Sequence, residues 1–499
     1  MSQYRVDISQ QNTLNEETLD PSNWDELRSL GHQMLDEMLD YLATVRTRPV
    51  WQPVPEEIKN HFKAALPINP VEPMQVYEEF KQYVLPYPTG NIHPRFWGWV
   101  MGTGTPIGML ADMLAAGINA HVAGYDQAAT FVEEQVIAWL AELMAMPAQT
   151  SGLLVSGATI ANLIGLATAR NIKAGFNLRE QGLQGNEKPQ LVLYGSTETH
   201  SWAQKAVELL GLGNEAFRRI PVDDNFQIDM DLLCESICLD RAKGRRPFCV
   251  IGNAGTVNTG AIDDLNTLAS ICRNEDLWLH VDGAFGALAA LSPKLKPLVA
   301  GIEKADSLAF DLHKWGYLPY GVACVLVLDS DAHQRSFSVT PSYLTKMSRG
   351  IAAKPLYFAD LGIELSRSFR ALKVWMSFKT HGVNAYARLI EQNVEQAHYL
   401  YQLIETQPLL EALAPAPSNI VCFRFRSDAL DNLQLNRLNQ EILLQVQESG
   451  LAIISSTMIG EKFALRVANT NHRSLRSDFE LLVQAIVSIG QTLLGDGLN

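Results

Sequence analysis

Between residues 150 and 330 the chain repeats one pattern: a short apolar run, a polar or glycine-rich turn and, in most cases, a helical stretch. The runs are Leu153–Val155, Leu191–Tyr194, Phe248–Gly252, Trp278–Val281, Ser307–Phe310 and Val322–Leu328. Such alternation predicts an α/β fold with a mainly parallel sheet covered by helices on both faces. Sites in these sheets gather beyond the carboxyl ends of the strands, so the residues just after each run are where chemistry is expected.

Two of those positions carry unusual residues. Ser307–Gly316 reads SLAFDLHKWG, an apolar run ending in Asp311-Leu312-His313, then Lys314, then Trp315. Lysine normally keeps its ammonium in water. Walled by apolar and aromatic groups, it favours the free amine, which can attack a carbonyl. Upstream, Leu277–Gly286 reads LWLHVDGAFG, a buried strand that delivers Asp282 ahead of a Gly283-Ala284 turn. A carboxylate followed by a candidate Schiff-base lysine suits pyridoxal phosphate, whose ring nitrogen must stay protonated to act as an electron sink.

Other turns extend the series. Ser156-Gly157-Ala158-Thr159 opens the helical stretch Ile160–Arg170. Small residues and free N–H groups at a helix start favour an anion, so the Ala158 and Thr159 amides and the Thr159 hydroxyl are expected to seat the cofactor phosphate. His200 follows the Leu191–Tyr194 run and begins a helix; an imidazole is flat enough to stack and titrates near neutrality. Asn91–Gly104, NIHPRFWGWVMGTG, is glycine-rich and aromatic. Segments of this kind often line ligand pockets, which makes Phe96, Trp97 and Trp99 candidate substrate contacts. Arg95 is available to pair with an acidic substrate group.

HVDGAFG followed by DLHKWG closely resembles the pyridoxal-phosphate-dependent group II amino acid decarboxylases, which include the aromatic-L-amino-acid, histidine and glutamate decarboxylases. The resemblance runs from about Asn91 to the C-terminus. It implies a fold type I enzyme, aspartate-aminotransferase-like, with an N-terminal helical segment and a small C-terminal α+β domain. It also implies roles: Lys314 carries the cofactor, Asp282 keeps the ring nitrogen protonated, and His200 stacks on the ring. Thr256 and Ala284 lie beside the cofactor, and His313 helps to bind phosphate. In Glu364–Trp375, Arg367 either orients a substrate or loop or is a salt-bridged structural residue. Thr340–Leu344 resembles the family's mobile catalytic loop. A tyrosine there, here Tyr343, reaches the partner's site and protonates the substrate carbon. Decarboxylase-like aldehyde synthases tend to carry phenylalanine at that position, so Tyr343 favours decarboxylation of an L-amino acid to the amine and CO₂. The aromatic loop favours an aromatic substrate; an acidic one (glutamate, aspartate or cysteine sulfinate) and aldehyde synthesis are the alternatives.

A chain of 499 residues is too long for one small core. The expected division is a helical segment at 1–90, a large cofactor-binding domain at 91–382 and the α+β domain at 383–499. Trp24, Leu27, Leu30, Met34, Leu35, Met38 and Leu42 form one apolar helical stripe, followed by a second helical stretch at Met74–Val84. Both lie far in sequence from a core they could cover. In the resembled family such helices pack across a partner subunit, which implies a homodimer with its active site at the interface. A net charge of −14 argues against nucleic acid or an anionic membrane as partner. The six cysteines form no disulfide framework, and Cys234 and Cys238 lack nearby metal-ligand partners. The first residues have neither the basic start nor the apolar core of a signal peptide, and no run is long enough to span a bilayer. The expected location is cytoplasmic.

Overall fold

The computed structural model describes residues 17–185, 187–339, 349–353 and 357–495. The alternating segment forms one seven-stranded sheet: β1 Ser151–Val155, β2 Leu191–Ser196, β3 Phe217–Ile220, β4 Arg246–Asn253, β5 Trp278–Asp282, β6 Ser307–Asp311 and β7 Ala323–Val327. Their order is β1-β7-β6-β5-β4-β2-β3. Strands β2 to β6 pair in parallel, while β7 runs antiparallel to both β1 and β6. The central strands are buried along their length, which is why they read as unbroken apolar runs rather than as alternation. Strand β3 escapes that reading. It is a four-residue edge strand, FRRI, whose middle arginines blunt the sheet edge.

A helix at Pro106–Ile118 was also not read from the sequence; Thr105 caps it by accepting from the Gly108 amide at 3.2 Å. Its apolar residues run nearly all round, which hides the helical period.

A second sheet, antiparallel throughout, comprises β8 Leu410–Ala412, β9 Ile420–Phe425, β10 Ser455–Ile459 and β11 Lys462–Ala468 in the order β10-β11-β9-β8. Helices Val383–Thr406, Asn432–Glu448 and Arg476–Gly495 accompany it. Sequence patterning puts a strand at Leu451–Ser455; the observed strand starts only at Ser455. The preceding residues pair instead with the aromatic loop. Trp97 N donates to Ile453 O at 2.7 Å, and Ala468 N donates to Trp97 O at 3.0 Å. The start of the 91–382 segment is thereby stitched to the C-terminal sheet.

The first helix, Trp24–Ala43, is capped by Asn23, which accepts from the Asp25 and Glu26 amides. Leu30 is its one buried residue, whereas Trp24, Leu27, Met34 and Leu39 are exposed. Met34 and Met38 join Val76, Met109 and Met113 around an open apolar cleft of about 780 Å³.

Two fully buried histidines tie stability to pH. His333 bridges Ser151 Oγ and Leu361 O, and His280 bridges Ser307 Oγ and Asn162 Oδ1. Burial lowers both from 6.5 to about 4. Between those values the unfolded chain binds the extra protons, so stability is complete above pH 6.5 and falls as the pH drops towards 4. The loss is roughly 3 kcal/mol for each histidine. Urea melts from pH 6.5 down to about 4 are expected to record that decline, and a flat profile would contradict it.

Candidate active site

The carboxyl ends of β4, β5 and β6 and the start of the Ala158–Lys173 helix enclose a cavity of about 390 Å³. Lys314 enters it from the turn after β6, with its side chain about one quarter exposed. Its surroundings differ from the expected apolar wall: Nζ lies 3.1 Å from Asp311 Oδ2. Gly102 packs against the same turn. A Cβ there would stand 1.8 Å from the His313 carbonyl oxygen, so this backbone approach admits only glycine.

Asp282 sits at the end of β5, 5% exposed. Trp202 Nε1 donates to its Oδ2 at 2.5 Å, and the Ala284 amide donates to Oδ1 at 3.0 Å. These two bonds hold the carboxylate plane. His200 lies at the rim, its Nδ1 accepting from the Trp202 amide at 3.2 Å. Lost hydration lowers its pKa, with the Asp282 carboxylate acting against that shift. His313 is buried, and Nδ1–H donates to Val322 O at 2.9 Å, which leaves Nε2 facing Asp311 Oδ1 at 3.6 Å. Its pKa is lowered, first by burial. Thr256 is buried on the cavity wall; its Oγ1 accepts from the Ala261 amide at 3.2 Å.

Ala158 and Thr159 line the cavity at the helix start, but not as two free donors. The Ala158 amide donates to Asp311 Oδ1 at 2.7 Å. Asp311 thus touches both the helix N-terminus and Lys314, a role invisible in the sequence because it joins residues far apart in the chain. Of the paired acids Asp263 and Asp264 before the Leu265–Asn274 helix, Asp264 caps it. Asp263 instead accepts from the amides of Ile228 and Asn253.

Four expected substrate contacts lie away from the cavity. Trp97 is fully buried, its ring stacked 4.6 Å from Phe479 and its Nε1 donating to Ser474 Oγ at 3.0 Å. Phe96 is buried with Val50 and Ile453. Arg95 donates from Nε to Leu451 O at 2.6 Å, and its NH1 lies 3.9 Å from Asp478. Arg367 is paired with buried Glu133. Trp99 does line the cavity and is 51% exposed. Tyr343 lies outside the described residues. The cavity wall also includes Asn162, Trp202, Phe285 and Tyr320, which sequence reasoning passed over as helix or core positions.

The residues fit pyridoxal phosphate. An amine for an aldehyde, a hydrogen-bonded carboxylate for a basic ring nitrogen and a helix start for an anion open on one space. Asn162 lines the same space, and its buried amide nitrogen Nδ2 has no hydrogen-bond partner among the described residues.

Comparison with known proteins follows the same line. Residues 55–426 match the pyridoxal-dependent decarboxylase conserved domain. Aromatic-L-amino-acid decarboxylase of Bacillus atrophaeus is 34% identical over 473 residues, 94% of this chain and 96% of that protein. Phenylacetaldehyde synthase of Arabidopsis thaliana is 30% identical over 463 residues, 90% of this chain and 93% of that protein. The structure of Oryza sativa TDC with PLP and tryptamine superposes with a TM-score of 0.88 at 25% identity, covering 95% of this chain and 99% of that one.

Proposed function

This chain belongs to the pyridoxal-dependent decarboxylase family, and on that premise we propose that it converts an aromatic L-amino acid to the corresponding amine and CO₂. The observation that carries the reading is one cavity holding Lys314 and the doubly hydrogen-bonded Asp282 carboxylate.

Pyridoxal phosphate, when bound, supplies the electron sink for the bond to the departing carboxyl group. Lys314 offers the amine that anchors it. Asp282, its two oxygens fixed by Trp202 and Ala284, keeps the ring-nitrogen proton in place. Thr159 and His313 would hold the phosphate at the helix start, where the Ala158 amide is engaged by Asp311, and His200 at the rim would cover the pyridine face. Thr256, on the cavity wall, would orient the substrate carboxylate for its departure. Trp99 at the mouth favours an aromatic side chain. Arg95, the basis of an acidic-substrate reading, is engaged with Leu451 O and Asp478.

Tyr343, outside the described residues, is proposed to return a proton to the substrate carbon. The Arabidopsis thaliana relative at 30% identity keeps aldehyde formation as the second reading. We read the exposed apolar arm around Met34 and Met38 as the surface that packs on a second copy, giving a homodimer. Among the described residues no helix is long and apolar enough to cross a membrane; a cytoplasmic location is proposed.

The test is a panel of L-amino acids assayed for CO₂, amine and aldehyde with the cofactor-loaded protein. Amine and CO₂ in equal amounts from an aromatic substrate are expected. Tyr343→Phe is expected to divert most product from amine to aldehyde; an unchanged amine yield would remove Tyr343 from the proton-donor role. No CO₂ from any aromatic amino acid would overturn the substrate reading.

A further inference from the structure

A buried polar chain joins the sheet to the cavity. Trp278 Nε1, which can only donate, donates to Ser307 Oγ at 2.8 Å. Ser307 Oγ lies 2.8 Å from His280 Nδ1, and His280 Nε2 lies 2.8 Å from Asn162 Oδ1. All four side chains are buried. Gly165 on the Ala158–Lys173 helix makes the contact possible, since a Cβ there would stand 2.6 Å from His280 Cε1 and 3.1 Å from Ser307 Oγ.

Donor counting gives the chain a direction. Ser307 already accepts from Trp278, and among the described contacts its own proton has His280 Nδ1 as acceptor. Burial holds His280 near 4, so the ring is neutral with a single N–H. That N–H is on Nε2 and donates to Asn162 Oδ1. The reverse direction would leave the Ser307 hydroxyl buried with no acceptor. The relay therefore fixes the Asn162 amide with its oxygen towards His280, on a residue that lines the cavity. Among the described residues Nδ2 has no hydrogen-bond partner, although the residue is 1% exposed. A buried donor left unsatisfied is costly unless a ligand takes it up.

We infer that Asn162 contacts the cofactor, donating from Nδ2 to an oxygen of bound pyridoxal phosphate, and that the Trp278–Ser307–His280 relay holds it in the donating orientation. The inference rests on the cofactor reading of the cavity given above.

Spectrophotometric titration of unloaded protein with pyridoxal phosphate tests it, with thermal melts of each unloaded variant as the check on folding. Asn162→Asp keeps an oxygen towards His280 and removes the donor. Its affinity is expected to fall about tenfold or more, with a shifted absorption maximum for the bound cofactor. Ser307→Ala frees the His280 tautomer, lets the amide turn over and weakens binding in the same direction. It carries the test where the aspartate variant does not fold. Pyridoxal, which lacks the phosphate, separates the two oxygen sources. A penalty that persists with it assigns the contact to the ring oxygen, and one that vanishes assigns it to the phosphate; both support the inference. Wild-type affinity and spectrum in both variants would overturn it and leave the cofactor reading standing. Failure of the wild-type protein to bind pyridoxal phosphate would overturn both.

Discussion

Lys314→Ala is expected to lower turnover roughly 10³-fold or more, about 4 kcal/mol of barrier. It is also expected to remove the adduct that borohydride would fix on the Ser307–Gly316 peptide. Lys314 is the one lysine among the described residues lining the cavity, so no neighbouring amine replaces it. The change also strips Asp311 of its cation, but the Ala158 amide still donates to that carboxylate at 2.7 Å and limits the cost to folding. Lys314→Arg separates the two effects. A guanidinium preserves the charge beside Asp311 but is a poor nucleophile at neutral pH. The arginine variant is therefore expected to melt like the wild type and to be as inactive as the alanine variant. Wild-type turnover in either would remove Lys314 from the cofactor link.

Arg367→Ala is expected to destabilise the fold by about 3–5 kcal/mol, the scale set by leaving a buried charge unpaired. Both members of its pair with Glu133 have fully buried side chains. Arg367 also donates to Val122 O at 2.6 Å and to Leu154 O at 2.8 Å, and its guanidinium lies 5.0 Å from the centre of the Phe358 ring. It therefore ties the Ala128–Leu143 helix, which carries Glu133, to β1. Burial pushes the Glu133 carboxyl up and Arg367 pulls it down. Without the arginine, burial acts on the acid against only the Leu154 amide and the charge of Arg370. Urea denaturation measures the loss. The double change Arg367→Met with Glu133→Leu is expected to recover most of it, because an apolar pair of similar volume needs no charge compensation. A loss below about 1 kcal/mol in the single variant would contradict the account.

What the sequence disclosed was local. Lys314 and Asp282 were legible because Asp282 ends one buried strand and Lys314 lies in the turn after another, and strand ends are readable from apolar runs. The same logic placed Ala158, Thr159, His200 and Thr256 at one cavity. What stayed hidden depends on partners distant in the chain. Trp97 and Trp99 are two residues apart in one aromatic loop, yet one is fully buried against Phe479 and the other is half exposed at the cavity. Trp99 takes a left-handed backbone, φ 51°, which breaks the simple alternation that would put both on one side. Nothing in composition separates them. Arg367 and Glu133 lie 234 residues apart, and the tie from Asp311 to Ala158 spans 153. Strand β3 was missed because two arginines interrupt its apolar pattern. Asn162 reads from sequence as one more helix position; only the relay behind it gives its amide an orientation.

The reversed strand β7 sets a gauge for the whole site. Its first residue, Ala323, is paired on one side with Val155, the last residue of β1, and on the other with Asp311, the last residue of β6. The two flanking strands therefore finish level with each other, two strand spacings apart, or roughly 10 Å. One releases the chain into the helix start, the other into the lysine turn. Because β7 points the opposite way, it sends no turn of its own outward between them beyond the loop that already bears Lys314. The helix start and the lysine turn therefore leave the sheet in register, bridged by the Ala158–Asp311 hydrogen bond, and lengthening or shortening either strand by one residue would put them out of step.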